Sequence, residues 1–192
     1  TSLTASACNL LYETSREYYF QQLDKVHGYI QAGDCYQINL SQRVHMETEY
    51  SSEAIYQTLR RVMPSPFCAF MTLHGTDSHI ISLSPERFLQ LDGEGTVITQ
   101  PIKGTIRRGN TPLEDEQLAL TLMQDGKNRA ENIMIVDLLR NDLGKVCETG
   151  SIHVDALCEL QSFSNVHHLV STIRGKLKPS LDGADLLQAC FP

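Results

Sequence analysis

The first third of the chain combines helical and strand-like spacing of apolar residues. A helix is predicted after the capping box Thr14–Glu17, because apolar residues follow at helical spacing until Gly33 offers a left-handed stop. From Tyr36 to Met46, apolar and polar residues alternate, which predicts a strand of an antiparallel sheet. The polar face of this strand includes Gln37, and it is either solvated or lines a pocket. A second helix is predicted from about Ile55 to Met63.

A series of short strands is predicted next, and it leads to a lysine. The predicted strands are two buried ones joined around Gly75 and then a hairpin: Phe67–Leu73, His79–Leu83, Phe88–Leu91 and Thr96–Gln100. Pro101 then stops the strand pattern and Gly104 allows close approach of the backbone, with Lys103 between them in a predicted loop. Such a lysine is either a solvated charge or, if its pKa falls, a nucleophile.

Two helices are predicted in the second half of the chain. The first opens with the capping box Thr111–Glu114, and the second runs from about Lys127 to Asn141. On the second helix, Glu131 shares one face with Met134, Ile135, Leu138 and Asp142. We expect this face to point to the core, where an isolated carboxylate is costly. Glu131 therefore needs a partner, and Lys127 or Arg140 would serve.

The end of the sequence predicts two more strands and a helix. A short strand is expected at Ile152–Val154, a longer one at Val166–Arg174 and a helix at Asp182–Cys190. On the longer strand, His167 and His168 must face opposite ways. Blocks of strands alternating with helices predict an α+β fold, in one domain spanning residues 1–192.

Composition excludes several classes of function. Sixteen Lys and Arg residues against 23 Asp and Glu residues give a formal net charge of −7, without a basic run, which argues against a nucleic-acid partner. No apolar run is long enough to span a membrane, so we expect a soluble, cytoplasmic protein. The cysteines are scattered and predict free thiols: Cys8, Cys35, Cys68, Cys147, Cys158 and Cys190. Because the chain starts at Thr1 and stops directly after a helical pattern, we expect it to be a piece of a longer protein.

The motif Pro-Ile-Lys-Gly-Thr at residues 101–105 is followed by Glu131 and then by the run Ile-Val-Asp-Leu-Leu-Arg-Asn-Asp at residues 135–142. This arrangement resembles the chorismate-utilising enzymes, over about residues 17–192. The closest branch makes 4-amino-4-deoxychorismate, a precursor of p-aminobenzoate and folate, from chorismate and ammonia that a glutamine amidotransferase partner supplies. The resemblance implies large antiparallel sheets with helices packed outside.

The resemblance also implies catalytic roles for three residues. Lys103 would attack C2 of chorismate while the C4 hydroxyl leaves, and Glu86 would be the general acid that protonates this hydroxyl. An ion pair with Arg87 or a solvated loop charge is the alternative for Glu86. His168 would lie near the substrate ring, although a register slip of one residue would exchange it with His167.

Binding roles are implied for four further residues. Glu131 would bind Mg²⁺, which in turn holds the C1 carboxylate of chorismate, and Gly104, Thr105 and Gln37 would contact the substrate. At the position of Gln37, the isochorismate and salicylate synthases have a lysine that activates water, a role that an amide cannot take.

Two alternatives remain at this point. Anthranilate synthase is a relative, but it has alanine at the position of Lys103. A non-catalytic binding fragment with the same fold is the other alternative, because the family continues with a Gly-rich substrate-binding segment and a second metal-binding glutamate that this chain lacks. We therefore expect the family domain to be truncated here and the chain alone to be inactive.

Overall fold

The computed structural model describes residues 10–191, which form two compact units. The described part of the first unit comprises residues 10–64 and 70–81, and that of the second comprises residues 65–69 and 82–191. The prediction of one domain over residues 1–192 stays a prediction. Cys8 lies outside the described residues, and the other five cysteines are free thiols, as expected. Within residues 10–191, no helix is long and apolar enough to cross a membrane.

The first unit contains two short strands and two helices. They are β1 (Leu10–Tyr12), α1 (Arg16–Ala32), β2 (Val44–Met46) and α2 (Ser52–Val62), and β1 pairs antiparallel with β2. The helix caps follow from sequence: the Ser15 and Ser51 hydroxyls accept backbone N–H groups at the two helix starts, and Gly33 ends α1 with φ 79°. The first cap is one residue later than the predicted Thr14.

The predicted strand from Tyr36 to Met46 is wrong over residues 36–43, which have no regular structure. Only Val44–Met46 pairs, because its partner Leu10–Tyr12 is equally short. Alternation of apolar and polar residues describes a strand that has a partner, but it does not supply the hydrogen bonds of a ladder.

The strands β3 (Phe67–Thr72) and β4 (His79–Ser84) form a separate two-stranded sheet, with Gly75 in the connecting turn at φ 78°. Their positions are as predicted. Their burial is not, since every residue in them is half-buried or exposed. An apolar run therefore identified the strands without showing whether another layer covers them.

A five-stranded antiparallel sheet dominates the second unit. Its strands are β5 (Arg87–Leu91), β6 (Thr96–Gln100), β7 (Ile102–Arg107), β8 (His153–Ser162) and β9 (Val166–Lys176). The long strand β9 is central, with β8 along one side and with β6 and then β7 along the other. The chain passes from β6 to β7 at Pro101, whose carbonyl accepts the N–H of Ser171 at 3.1 Å.

The helices of this unit are α3 (Pro112–Gln124), α4 (Gly126–Val146) and α5 (Gly183–Cys190). The predicted caps Thr111 and Asp182 both accept backbone N–H groups at the helix starts. The core joins α4 and α5 to the sheet through Val97, Val136, Leu139, Leu143, Val146, Ile173, Leu177 and Leu186. These elements confirm the α+β prediction.

The face of α4 that points to the core differs from the predicted one. The buried residues are Asn132, Val136, Leu139, Leu143 and Val146. In the predicted stripe, Met134 is 37% exposed and Leu138 is 54% exposed. Two adjacent apolar stripes run along this helix, and a sheet covers only one of them. Glu131 therefore lies beside the core-facing stripe and does not need a buried partner.

Candidate active site

The site begins at a bulge in β7. Ile102 pairs with Val170 and Thr105 with His168, so that three steps along β7 match two along β9. Lys103 and Gly104 occupy this bulge, which corrects the prediction that Lys103 lies in a loop. Proline stops one ladder at residue 101, but the chain begins another with the next residue.

Gly104 explains how the bulge fits against the helices. Its φ is 88°, and a Cβ atom there would lie 3.0 Å from both Asn128 Cβ and Leu122 Cδ1. Only glycine combines this backbone conformation with so close an approach. The bulge that carries Lys103 is therefore held against the junction of α3 and α4, and Lys103 itself is half-buried.

Glu86 is tied to the backbone next to Lys103. Its Oε1 accepts the N–H of Ile102 at 2.9 Å, and its own N–H donates to Ser84 Oγ at 3.2 Å. No ion pair joins Glu86 to Arg87 within the described residues. Instead, the Arg87 guanidinium lies over the Phe67 ring, 5.1 Å from its centroid. The structure thus brings a carboxyl group to within one residue of the candidate nucleophile.

His168 lies on the partner strand. It is 6% exposed, its Nδ1 is 2.8 Å from Thr105 Oγ1, and its ring meets Phe163 edge-on at 5.5 Å. Burial lowers the pKa of His168 below its usual 6.5, while a hydrogen bond to the backbone of Gly104 and the charge of Glu86 act in the opposite direction. The imidazole is therefore neutral near pH 7.

His167 faces the other side of the sheet, as predicted. Its Nε2 lies 3.0 Å from Asp115 Oδ1, and its Nδ1 lies 2.8 Å from Ser162 Oγ. Asp115 also binds Arg108 through two bonds of 2.8 and 2.6 Å, and these hold the pKa of the Asp115 carboxyl well below its usual range. His167 therefore belongs to a network that joins α3 to β8 and β9. The strand register places His168, not His167, opposite Thr105.

Glu131 lies near the bulge on the exposed side of α4. It follows Asn128, the residue against Gly104, by one helical turn, about 4.5 Å along the axis. Its Oε1 is 3.9 Å from Lys127 Nζ, which is the predicted alternative pairing. The side chains are 44% and 84% exposed, and such surface pairs contribute little to stability.

Glu131 is a half-exposed carboxylate, a type of ligand that Mg²⁺ takes, and its role as a metal ligand stays a prediction. This hard cation takes one or two carboxylates and completes its octahedron with water and substrate oxygens. No group of three or more potential metal ligands occurs among residues 10–191, so the described residues do not form a closed metal cage.

Gln37 belongs to the first unit and is exposed. Its Nε2 donates to Asn39 Oδ1 at 3.3 Å. The predicted contact between Gln37 and a substrate stays a prediction, as do the roles assigned to the other site residues.

Sequence reasoning missed two buried polar residues behind this site. Asn132 and Ser171 are fully buried, and they hydrogen-bond to each other. A signal was available, because Asn132 is the one polar residue on an apolar stripe that continues through Val136 and Leu139.

Comparisons with known proteins find two aminodeoxychorismate synthases and one anthranilate synthase that are similar to this chain. The chain is 48% identical over 174 residues to aminodeoxychorismate synthase component 1 of Salmonella typhimurium. The matched region covers 91% of this chain and 38% of that protein. It is 44% identical over 178 residues to aminodeoxychorismate synthase component 1 of Escherichia coli, and the matched region covers 93% of this chain and 39% of that protein. The crystal structure of anthranilate synthase component I from Streptococcus pneumoniae matches with a TM-score of 0.84 and 33% sequence identity. The match covers 100% of this chain and 41% of that structure's chain.

The chain thus spans between 38% and 41% of the length of these three relatives. The sequence profile of the family described as "chorismate binding enzyme" matches this chain from residue 1 to residue 192. The resemblance drawn from the motifs covered a shorter stretch, about residues 17–192. This match over every residue shows that the chain belongs to the chorismate binding enzyme family.

Proposed function

We propose that this chain is part of an aminodeoxychorismate synthase component I, which converts chorismate and ammonia into 4-amino-4-deoxychorismate. The observation that carries the proposal is the placement of Lys103 in the β7 bulge, between Glu86 and the pair of Thr105 and His168. The names of the relatives with 44% and 48% identity support the same activity.

In the proposed reaction, the neutral amine of Lys103 attacks C2 of chorismate. The two ring double bonds shift, the bond from C4 to its hydroxyl breaks, and Glu86 donates the proton with which water leaves. Ammonia then adds at C4, the double bonds shift back, and the amine of Lys103 leaves C2. The proton released from the added ammonia returns to the Glu86 carboxylate, so the enzyme is regenerated.

The neighbouring residues would orient the substrate for this exchange. His168 is neutral near pH 7 and is held by its bond with Thr105, so its ring can contact the substrate in a fixed orientation. Gly104 lets the bulge pack closely against Asn128 and Leu122, which holds the backbone of Lys103 in place.

Mg²⁺ is part of this proposal, with Glu131 as its protein ligand. When bound, the ion would neutralise the C1 carboxylate of chorismate and hold it in place. Glutamine would be the source of ammonia through an amidotransferase partner, which agrees with the word "component" in the names of the relatives.

Replacing Lys103 tests the nucleophile. In the full-length protein, we expect Lys103→Ala to reduce amination by about 1,000-fold or more, because removing an enzyme nucleophile typically costs several powers of ten. Lys103→Arg should be equally inactive, since arginine keeps the charge but is not deprotonated in proteins. Product formation by liquid chromatography and unfolding by circular dichroism would be measured together.

An arginine variant with parental turnover would show that position 103 supplies only a charge, and the covalent step would be wrong. Lys25→Ala is the matched control, because Lys25 is an exposed lysine of the other unit.

Anthranilate synthesis is the second candidate, favoured by the structural match with a TM-score of 0.84. The two reactions differ in the fate of the enolpyruvyl group, which amination at C4 retains and anthranilate formation releases as pyruvate. A lactate dehydrogenase-coupled assay for pyruvate decides between them, and we expect no pyruvate.

Glu131→Gln tests the metal site. The amide keeps the shape of the side chain but loses the charge that Mg²⁺ requires, so we expect titration calorimetry with a chorismate analogue to show at least about a 10-fold weaker affinity for Mg²⁺. Glu148→Gln, an exposed acidic residue after α4, is the control. Equal affinity in the parent and in Glu131→Gln would leave Glu131 as a surface partner of Lys127.

A further inference from the structure

A buried polar cluster lies directly behind the candidate active site. It consists of Asn132 on α4, Ser171 on β9 and the backbone of Cys158 on β8, and we refer to it as the Asn132 cluster. Ser171 Oγ donates to Asn132 Oδ1 at 2.5 Å and accepts the N–H of Cys158 at 2.8 Å. Asn132 Nδ2 donates to the carbonyl of Leu169 at 3.2 Å. Every polar atom of the Asn132 and Ser171 side chains thus has a partner, without solvent.

The carbonyl of Leu169 connects Asn132 to the strand that faces the bulge. Ser171 N–H donates to Pro101, so it points to the side of β9 where β7 lies. Residues two apart on a strand direct their backbone groups to the same side, so the Leu169 carbonyl points there too. It meets the bulge at Lys103 and Gly104, where the ladder between Ile102 and Thr105 is interrupted. Asn132 thus adds a side-chain hydrogen bond to β9 opposite the bulge.

The cluster is adjacent in sequence to two candidate groups, and a hydrogen bond connects it to the segment of a third. Asn132 follows Glu131, and Leu169 follows His168. The third connection runs through Ser171, whose N–H holds Pro101, two residues before Lys103. A displacement of Asn132 would therefore change the positions of three groups that the proposed reaction requires together.

We propose that Asn132 and Ser171 are positioning residues that fix the Lys103 bulge, His168 and Glu131 relative to one another. This inference deepens the proposed function, and its catalytic part rests on that function. An apolar side chain of similar size at position 132 would fill the same space, but it would remove the acceptor of the Ser171 hydroxyl proton and the amide bond to the Leu169 carbonyl, which is costly in a core. β9 would then lose its side-chain bonds to α4 opposite the bulge, so the bulge would be held less firmly.

The test compares three variants of the full-length protein. Asn132→Leu removes both amide bonds, and Ser171→Ala removes only the hydroxyl. The control Leu143→Ala lies on the same buried stripe about three turns further along α4, and it destabilises the core without touching the cluster. All variants are compared with the parent at equal fractions of folded protein.

Two measurements are made on each variant. Hydrogen exchange with mass spectrometry follows peptides that cover residues 101–107 and 166–172, and it needs no substrate. Steady-state kinetics gives kcat and KM for chorismate and ammonium. We expect exchange in both peptides to accelerate at least about 10-fold more in the cluster variants than in the control. We also expect kcat to fall by about 100-fold with a smaller change in KM, since misplacing a reacting group by about 1 Å has effects of this size.

Equal exchange in the cluster variants and in Leu143→Ala, or equal kcat per folded molecule, would overturn the inference. If Asn132→Leu does not fold, Ser171→Ala decides the question alone, because it changes a single hydroxyl. If the parent does not aminate chorismate at all, the proposed function fails, and the exchange data still decide whether the cluster fixes the bulge.

Discussion

The two units of this protein have equally good local signals for structure, but they differ in what they bury. In the first unit, α1 and α2 have serine caps and α1 ends at a left-handed glycine, yet neither helix buries a residue. In the second unit, α4 buries five residues against a sheet whose central side chains, Leu169 and Ile173, are inaccessible. This difference in burial shows that the signals that form a helix are distinct from the packing that stabilises it.

Helix caps and periodicity act over three or four residues, and they are enough to specify where a helix starts and ends. They stabilise an isolated helix only marginally, because most helical stability in proteins comes from packing of an apolar face. Large apolar side chains of α1 are about half exposed, among them Tyr18, Phe20 and Tyr29. These faces have no cover within the described residues, in a chain that spans about two fifths of the length of its relatives.

The largest effect is expected when the chain is compared with the full-length protein. We expect the 192-residue chain to have no detectable amination activity although it contains Lys103, Glu86, Glu131 and His168. Positioning can contribute about 7–11 kcal/mol to catalysis, and each ~1.4 kcal/mol that is lost slows turnover tenfold. Both proteins would be assayed with chorismate, ammonium and Mg²⁺.

Size-exclusion chromatography accompanies this assay. We expect the chain to associate through its exposed apolar faces. A rate near that of the full-length protein would mean that the 192-residue chain carries out the reaction without further segments.

A matched pair of core and surface substitutions measures the difference between the units directly. Leu143→Ala in the second unit should lower the free energy of unfolding by about 2–5 kcal/mol, because it leaves a cavity in a core position with no exposed surface. Ile30→Ala in the first unit should change it by less than about 0.5 kcal/mol, since Ile30 is 41% exposed.

Urea unfolding of the chain, followed by circular dichroism, gives both values. A large loss for Ile30→Ala would show that α1 is stabilised by packing after all. In the full-length protein, the same substitution should become more costly if further residues cover α1.

The smallest effect concerns acid stability, for which we compare one carboxylate from each unit. Hydrogen bonds from Arg108 hold the pKa of Asp115 below its usual 3.8, and a hydrogen bond with His45 lowers that of Glu13 below its usual 4.5. A carboxyl whose pKa is lower in the folded state stabilises the fold above the unfolded pKa, and this contribution is lost as the pH falls through the folded value.

Asp115→Asn should therefore flatten the decline of the melting temperature below about pH 4. Glu13→Gln should change the decline less, because Glu13 lies in the first unit, where none of the described residues is buried. Melting curves between about pH 6 and pH 2 test this, and an equal slope in the parent and Asp115→Asn would mean that the Arg108 pair does not contribute.

Several features of the site could be predicted from sequence because they depend on neighbouring residues. The caps at Thr111 and Asp182, the hairpin that leads to residue 101 and the opposite orientation of His167 and His168 all follow from local rules. The resemblance to chorismate-utilising enzymes, also drawn from short motifs, agrees with the family match.

Other features could not be predicted because they depend on distant partners. Lys103 was expected in a loop, since Pro101 ends a ladder, but β9 provides a second ladder for the residues that follow. The alternating stretch of residues 36–43 was expected to be a strand, but it has no partner strand in the described part of the first unit.

The sequence by itself determined which segments become helices, which short motifs the chain carries and to which family they belong. The tertiary structure decided which of two apolar stripes on α4 faces the sheet, and it decided that β7 bulges at Lys103 with Asn132 bonded to Leu169 opposite. The physical reason is the range of the interactions. A cap or a turn is completed within about four residues, whereas a ladder or a core needs groups that folding brings from far along the chain.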